Sequence, residues 1–278
     1  MNPVRAAWAL ARSCHPAPTL AVACFTTVLG AAAGNGAGTC VLLAIAVLAG
    51  QLSIGWSNDR MDAGRDRTVG RDDKPLATGE LALRTADVAI ALALLTTVAF
   101  SLSLGWRPGL LHLGAVGCGW IYNAWLKSTW WSWLPYAAAF GALPAIATQA
   151  LPTASWPAAW AVAAGALFGA AANLTNALPD LAGDRLTGIV GLPHRLGARA
   201  SLLTAVGLLI AATGCAAFGP PDAVTALGWA ALALSVLAAL AGAVLAFTRP
   251  TSKLSFYGIV AVVGLDLVLI VVNGHHLH

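Results

Sequence analysis

The chain has 278 residues, of which 59% are hydrophobic and 9% are charged, and its mean hydropathy is +0.78. These values exclude an ordinary soluble globular protein and are typical of an integral membrane protein. The formal net charge of +4 comes from basic residues dispersed among loops, so we expect anionic lipid or anionic substrates as partners and no nucleic acid.

Turn-forming residues and charges divide the chain into nine apolar segments, most of them near the ~20 residues that a helix needs to cross a bilayer. The dividers are rich in Gly, Pro, Asn, Asp and Ser, the residues that end helices. The sequence therefore predicts an all-α, polytopic membrane protein that forms one domain over residues 1–278. The nine transmembrane helices are predicted at 16–33, 39–57, 83–105, 109–126, 132–150, 156–178, 199–218, 223–247 and 254–272.

The basic residues lie almost entirely on one side of this predicted topology. The N-terminus and every second loop hold 14 of the 15 Lys and Arg residues, and the other side holds only Arg107. Cytoplasmic loops of membrane proteins are enriched in Lys and Arg. We therefore expect the N-terminus and the charged loops in the cytoplasm, the C-terminus outside, and the cell membrane as the location.

Charge is concentrated first in 58-NDRMDAGRD-66, directly after the second apolar segment. Asn58, Asp62 and Asp66 are spaced by four residues, so in a continuous helix they form one row of oxygen-bearing side chains about 12 Å long. Asp59 points roughly 100° away from this row, and we expect it not to share the row.

The same spacing recurs after the sixth apolar segment in 173-NLTNALPDLAGDRLTG-188, which contains Asn176, Asp180 and Asp184. Both rows end a predicted span on the same side of the membrane, and both continue with an Asp-Arg-x-x-Gly sequence. This internal repeat pairs an early helix with a late one. We expect the two helices to turn six oxygen-bearing side chains toward a common cleft.

Carboxylates at a membrane edge are costly unless a cation neutralises them. Hard oxygen ligands in this arrangement favour Mg²⁺, which keeps some waters and completes its shell with substrate phosphate. The alternative, ordinary solvated loop charges, is less favoured because two rows of matched spacing lie on the same membrane face. Four basic residues near the rows suit a bound diphosphate, namely Arg65, Arg71, Lys74 and Lys127.

These sequences resemble the UbiA-type intramembrane prenyltransferase superfamily, which carries an NDxxDxxxD motif after its second helix and a DxxxD motif after its sixth. The matching sequences are 58-NDRMDAGRD-66 and 180-DLAGD-184, and 71-RDDKP-75 is similar to the family's basic element with Lys74 in place of an Arg. The resemblance covers essentially the whole chain. It implies nine helices around a central cavity, with Mg²⁺ bound by the two acidic motifs and an isoprenoid diphosphate held through that metal.

The resemblance also implies the ligands of this metal. Asp66 is implied as a supporting ligand, and Asn176 is a candidate ligand from its spacing rather than from the family motif. The implied primary ligands are Asn58, Asp62, Asp180 and Asp184.

Further candidates come from other elements of the family. The sequence 122-YNAWLK-127 supplies a Tyr and a Lys after the fourth helix, Arg12 matches a first-helix arginine that would bind diphosphate, and Asn173 falls where the family has an acidic residue. The candidate catalytic residues are Asp62, Asp180, Tyr122 and Lys127. The candidates for lining the acceptor or prenyl cavity are Asn173, Trp56, Trp120 and Trp125.

The predicted activity is Mg²⁺-dependent transfer of a prenyl group from an isoprenoid diphosphate to an acceptor, for which an aromatic ring is the favoured class. Ionisation of the allylic C–O bond gives a carbocation that an apolar cavity shelters from water. Related outcomes are terpene cyclisation and transfer to a sugar phosphate. A cation transporter is the alternative of a different class, but its ionisable groups would lie nearer the midplane. The histidines of the C-terminal 274-GHHLH-278 could bind metal adventitiously, but a frayed polar terminus is the favoured interpretation.

Overall fold

A computed structural model describes residues 3–222, 224–248, 262, 264–266 and 268–278, and helices joined by short loops are the regular structure of this part of the chain. The all-α prediction is confirmed. The helices are α1 (Pro3–Ser13), α2 (Pro16–Ala32), α3 (Ala37–Thr68), α4 (Pro75–Thr78), α5 (Leu83–Ser103), α6 (Trp106–Ala124), α7 (Leu134–Gln149), α8 (Ala159–Asn176), α9 (Leu181–Leu186), α10 (Leu192–Phe218) and α11 (Ala226–Thr248).

Each of the first eight predicted spans overlaps one of these helices, and the ninth, 254–272, lies largely outside the described residues. By length and composition, four of the described helices can cross a membrane, namely α3, α5, α8 with its extension to Asp180, and α10. A fifth span results if α1 and α2, which meet at a bend of 72°, are counted together. The number nine stays a prediction.

The surface of the helices is apolar, as expected for contact with lipid. Large hydrophobic side chains are exposed on several of them, among them Leu95 on α5 at 68% and Leu240 on α11 at 59%. In water such a surface would favour aggregation. In a bilayer it faces acyl chains, and helices instead approach one another through small residues.

Two glycines allow the close approaches that shape the charged end of the helices. A Cβ at Gly55 of α3 would lie 2.5 Å from the carbonyl oxygen of Cys14, so the α1–α2 turn packs directly on α3. A Cβ at Gly191, just before α10, would lie 2.4 Å from the carbonyl oxygen of Lys127. These contacts bring the α1–α2 turn to the acidic half of α3, and the start of α10 to the segment after α6.

The second acidic row does not lie on one continuous helix, contrary to the prediction. Helix α8 ends at Asn176, a 3-10 turn covers Leu178–Asp180, and α9 follows. Pro179 explains the break because it has no N–H to donate and its ring disfavours α-helical geometry in the preceding residue. Asn176, Asp180 and Asp184 therefore occupy three different elements.

Candidate active site

The first acidic row is built as predicted. Helix α3 runs without interruption to Thr68, so Asn58, Asp62 and Asp66 lie on one helix face. Asp62 and Asp66 are buried. Burial of two carboxylates on one helix is costly without compensating charge, and the neighbouring elements supply that charge.

Asp62 is bonded to two cations. The Nζ atom of Lys127 donates to Asp62 Oδ1 at 2.6 Å, and Arg65 lies 2.8 Å from Asp62 Oδ2. Lys127 belongs to the 3-10 turn Leu126–Ser128 that follows α6. The structure therefore brings two residues predicted for diphosphate binding onto a predicted metal ligand.

Asp59 contributes to the site although the helical spacing predicted that it would not share the row. Its side chain is 1% exposed, and it accepts a hydrogen bond from Lys74 Nζ at 2.6 Å. His15 Nε2 lies 3.0 Å from the same oxygen and 3.2 Å from Lys74 Nζ. The other oxygen, Oδ2, has no hydrogen-bond partner among the described residues.

No local spacing rule links Asp59, His15 and Lys74, because their sequence separations are 15 and 44. The signal for Asp59 was its place inside the NDxxDxxxD motif. His15 takes a left-handed backbone conformation, with φ 53°, at the bend between α1 and α2. Packing of that bend on α3 carries the imidazole to Asp59.

The two acidic segments meet through Arg71. This residue follows the first row, and its Nη1 donates to Asp180 Oδ1 at 3.1 Å. Its Nε donates to Asp73 at 2.9 Å. The Arg71–Asp73 hydrogen bond raises the pKa of Arg71 above its ordinary value and lowers the pKa of Asp73. Arg71 therefore stays charged beside the second acidic segment.

Asp184 has a histidine partner that the sequence did not indicate. His194 Nε2 lies 3.2 Å from Asp184 Oδ2, and the backbone N–H of Gly191 donates to His194 Nδ1 at 3.2 Å. Because Nδ1 accepts, the ring carries its proton at Nε2 and donates it to the carboxylate. Sequence reasoning gave His194 no role.

Aromatic and amide side chains lie between the acidic segments. Tyr122 of α6 is close enough to both Asp62 and Asp184 to interact electrostatically with each carboxylate. Its ring meets that of Tyr136 edge to face at 5.0 Å between centroids. Asn176 donates to the hydroxyl oxygen of Tyr136 at 3.3 Å.

Asn173 is 1% exposed. Its Oδ1 accepts a hydrogen bond from Ser132 at 3.3 Å, while its Nδ2 is buried without a partner among the described residues. The Asn173 side chain also interacts with the hydroxyl of Tyr122, so this amide lies beside the aromatic ring between the acidic segments.

Three other predicted residues have structural contacts instead. Trp56 donates its indole N–H to the carbonyl oxygen of Leu10 at 2.9 Å, which fastens α1 to α3. Trp120 donates to Ser53 at 3.2 Å, which links α6 to α3. Arg12 forms an ion pair with Glu80. These three contacts are all within the protein. The predicted contacts of Trp56, Trp120 and Arg12 with substrate therefore stay predictions.

Trp125 lies at the surface, and its place in an open cavity stays a prediction. Its side chain is 69% exposed, so it lies at the surface and does not line a buried cavity. It follows the last residue of α6, where helix periodicity no longer defines its direction.

The donor set suits a hard divalent cation. Asp66 is buried, and among the described residues its nearest cation is Arg65 at 4.0 Å. Asp59 Oδ2 is buried without a partner. Carboxylate oxygens that lack full compensation match the preference of Mg²⁺ for oxygen.

Fold and site together define a helical integral membrane protein whose charged site lies where several helices end. The profile of the UbiA prenyltransferase family matches residues 3–257. The chain belongs to this family. The prediction of a prenyltransferase enzyme is therefore confirmed, as is that of an integral membrane protein.

Solved structures with the same fold include three that match almost completely. A UbiA homolog from Archaeoglobus fulgidus bound to GPP and Mg²⁺ is 19% identical, with a TM-score of 0.70 over 96% of this chain and 98% of the other. The apo UbiA homolog from Aeropyrum pernix K1 is 21% identical, with a TM-score of 0.70 and coverages of 92% and 97%. A structure of digeranylgeranylglyceryl phosphate synthase is 15% identical, with a TM-score of 0.68 and coverages of 97% and 98%. No curated protein sequence matches this chain significantly.

Proposed function

We propose that this protein transfers a prenyl group from an isoprenoid diphosphate to an aromatic acceptor, in a site that binds Mg²⁺. The main support is the meeting of two acidic segments that are far apart in the sequence, through the 3.1 Å contact of Arg71 with Asp180. Family membership and the A. fulgidus homologs bound to GPP or DMAPP with Mg²⁺ support the same donor class.

Carboxylate and amide oxygens of the two segments would hold the metal. The set comprises Asn58, Asp62, Asp66, Asn176, Asp180 and Asp184. When bound, Mg²⁺ supplies Lewis-acid neutralisation of the charge that develops on a departing diphosphate. The chain's own residues bind, orient and shield the reactants.

We assign two basic residues, Arg71 and Lys127, to the binding of the diphosphate. Each is bonded to a carboxylate of the site, Arg71 to Asp180 and Lys127 to Asp62. Arg71 keeps its charge because of Asp73. Cations held this way are preorganised for the developing charge and need little rearrangement when it forms.

Tyr122 and Tyr136 are suited to shelter the allylic cation. Their rings pack edge to face at 5.0 Å beside the acidic segments. Aromatic faces stabilise a cation by about 2 kcal/mol or more when water is excluded. Asn173, whose buried side chain interacts with Tyr122, is the group that we assign to the acceptor.

The whole chain, 1–278, is proposed to be one catalytic domain in the cell membrane, with the site facing the cytoplasm. This orientation follows from the 14 of 15 basic residues on one side of the predicted topology.

The test is an assay in membranes that contain the protein, with Mg²⁺, DMAPP or GPP, and a panel of aromatic acceptors. Released diphosphate and the prenylated product are measured, the latter by mass spectrometry. Asp62→Asn and Asp180→Asn should each lower transfer roughly 100-fold or more, because each removes a carboxylate that would hold the Mg²⁺, and even loss of a group that orients a metal ligand costs about 10–100-fold. Chelation by EDTA should abolish transfer, and added Mg²⁺ should restore it.

Asp87→Asn is the matched control. Asp87 pairs with Arg60 at 2.7 Å on the surface, so its loss should leave transfer unchanged. Equal transfer by the wild type and both site variants would overturn the proposal. Diphosphate release that yields a cyclised hydrocarbon would point instead to terpene cyclisation.

A further inference from the structure

The C-terminal turn is anchored, contrary to the expected frayed terminus. Gly274–His276 forms a 3-10 turn. Leu277 is fully buried, and its carbonyl oxygen accepts a hydrogen bond from the N–H of Ala158 at 2.7 Å. A Cβ at Gly274 would lie 2.4 Å from the carbonyl oxygen of Ala32. The turn is therefore packed on the end of α2 and on the segment that precedes α8.

Three side chains with metal-binding atoms meet on this anchored turn. His276 Nε2 lies 2.7 Å from Oδ2 of Asp222, which belongs to the loop between α10 and α11. The His275 ring lies 3.9 Å from that of His276. One ligand atom from each of Asp222, His275 and His276 lies within 4.8 Å of the others.

We propose that Asp222, His275 and His276 form a zinc site separate from the acidic segments. Two imidazole nitrogens and one carboxylate oxygen are a typical donor set for Zn²⁺, with water in the remaining position. Mg²⁺ favours an all-oxygen shell, so the two sites differ in the metal that they select. The Asp222 side chain is 73% exposed and free to turn toward the ion.

Binding needs only a small rearrangement of the site. Ligands about 2 Å from a tetrahedral ion lie roughly 3.3 Å from one another. The His276–Asp222 pair, at 2.7 Å, would open slightly around the ion, and the ligand atom of His275, within 4.8 Å of both, would move closer. Zinc would bind the His276 nitrogen that faces Asp222, and the neutral imidazole would carry its one proton on the other ring nitrogen.

The bound ion would join two parts of the chain that are distant in sequence. Asp222 belongs to the α10–α11 loop, and the two histidines belong to the terminus. A ligand that binds the folded state alone raises the stability of that state. Zinc should therefore raise the melting temperature of the protein.

The experiment uses the full-length protein in detergent, stripped with EDTA and then kept in excess Mg²⁺ to occupy oxygen-rich sites. Zn²⁺ is titrated against a chromophoric zinc indicator, and the melting temperature is measured with and without Zn²⁺. We expect one zinc ion per chain and a rise in melting temperature that Mg²⁺ does not give.

Asp222→Asn and His275→Ala test the ligands. Loss of a group that merely orients a ligand typically weakens metal binding about 10–100-fold, so loss of a ligand should weaken it at least roughly tenfold. Melting temperatures without zinc should match the wild type, since both side chains are exposed. His278→Ala is the matched control, an exposed histidine of the same segment outside the trio.

Two results would overturn the proposal. One is zinc uptake by the wild type that does not exceed that of the His275→Ala/His276→Ala double variant. The other is zinc affinity that falls with His278→Ala and is unchanged by Asp222→Asn, since that would be chelation by the histidine segment alone.

Discussion

Asp59 and Lys74 form a buried ion pair in which each charge compensates the other. Asp59 is 1% exposed, and Lys74 donates to it at 2.6 Å. Removal of one partner of a buried pair leaves an uncompensated charge and costs about 3–5 kcal/mol, whereas replacement of both partners by neutral residues costs much less. The family resemblance implies diphosphate binding for Lys74, so stability and catalysis can be separated at this pair.

Lys74→Met should lower the free energy of unfolding in detergent by about 3–5 kcal/mol and should also lower prenyl transfer. In the double variant Asp59→Asn/Lys74→Met, most of the lost stability should return because no charge is left unpaired. Chemical denaturation followed by circular dichroism measures the first quantity, and diphosphate release measures the second.

The two measurements distinguish the roles of Lys74. Transfer that stays low in the stable double variant shows that the charges of this pair serve catalysis and not stability alone. Transfer that returns together with stability limits Lys74 to neutralising Asp59, which would contradict its predicted role in substrate binding.

At the scale of elements, the periodic part of the site was predictable and the irregular part was not. The row on α3 followed from spacing because that helix is continuous through Asp66. The prediction that the second row lies on one continuous helix was wrong. Pro179 in the sequence signals the break, and α8 ends at Asn176. The contact of His194 with Asp184 depends on tertiary packing, for which the sequence carries no periodic signal.

Gly191 lets the start of α10 pack closely against the turn that carries Lys127. Its backbone angles, φ −76° and ψ −175°, suit any residue, so only space demands a glycine there. A Cβ would lie 2.4 Å from the carbonyl oxygen of Lys127 and 3.1 Å from Ser132 Oγ. Neither the backbone atom nor the buried serine can turn aside as a long side chain would.

Gly191→Ala should therefore displace the turn that carries Lys127 and weaken its contact with Asp62. Overpacking of this kind costs about 1–3 kcal/mol, and transfer should fall with it. The melting temperature in detergent and the rate of transfer are the measurements.

Gly207→Ala is the control, since a Cβ there meets nothing within 4 Å. It should keep full transfer and slightly raise the melting temperature, because Ala is the better helix former by about 1 kcal/mol. An unchanged melting temperature and rate in Gly191→Ala would contradict the positioning role.

At the scale of the whole molecule, the charged site lies at one end of the helices. It combines the C-terminal ends of α3 and α8, the segment after α6 and the N-terminal end of α10. The Lys and Arg residues that neutralise its carboxylates belong to the loops whose positive charge predicts a cytoplasmic location. We therefore expect one set of residues to serve both the chemistry of the site and the direction of insertion.

The sided distribution of Lys and Arg predicts that the site faces the cytoplasm and that an odd number of spans places His278 outside. A fusion of alkaline phosphatase after His278 in a bacterial host should be active, because this enzyme folds only outside the cytoplasm. A green fluorescent protein fusion at the same position should be dark, and fusions at Gly79 should show the opposite pattern. An active phosphatase at Gly79 would show that the orientation is the reverse of the predicted one. The same activity at both positions would show that an even number of membrane crossings separates them, which nine spans do not allow.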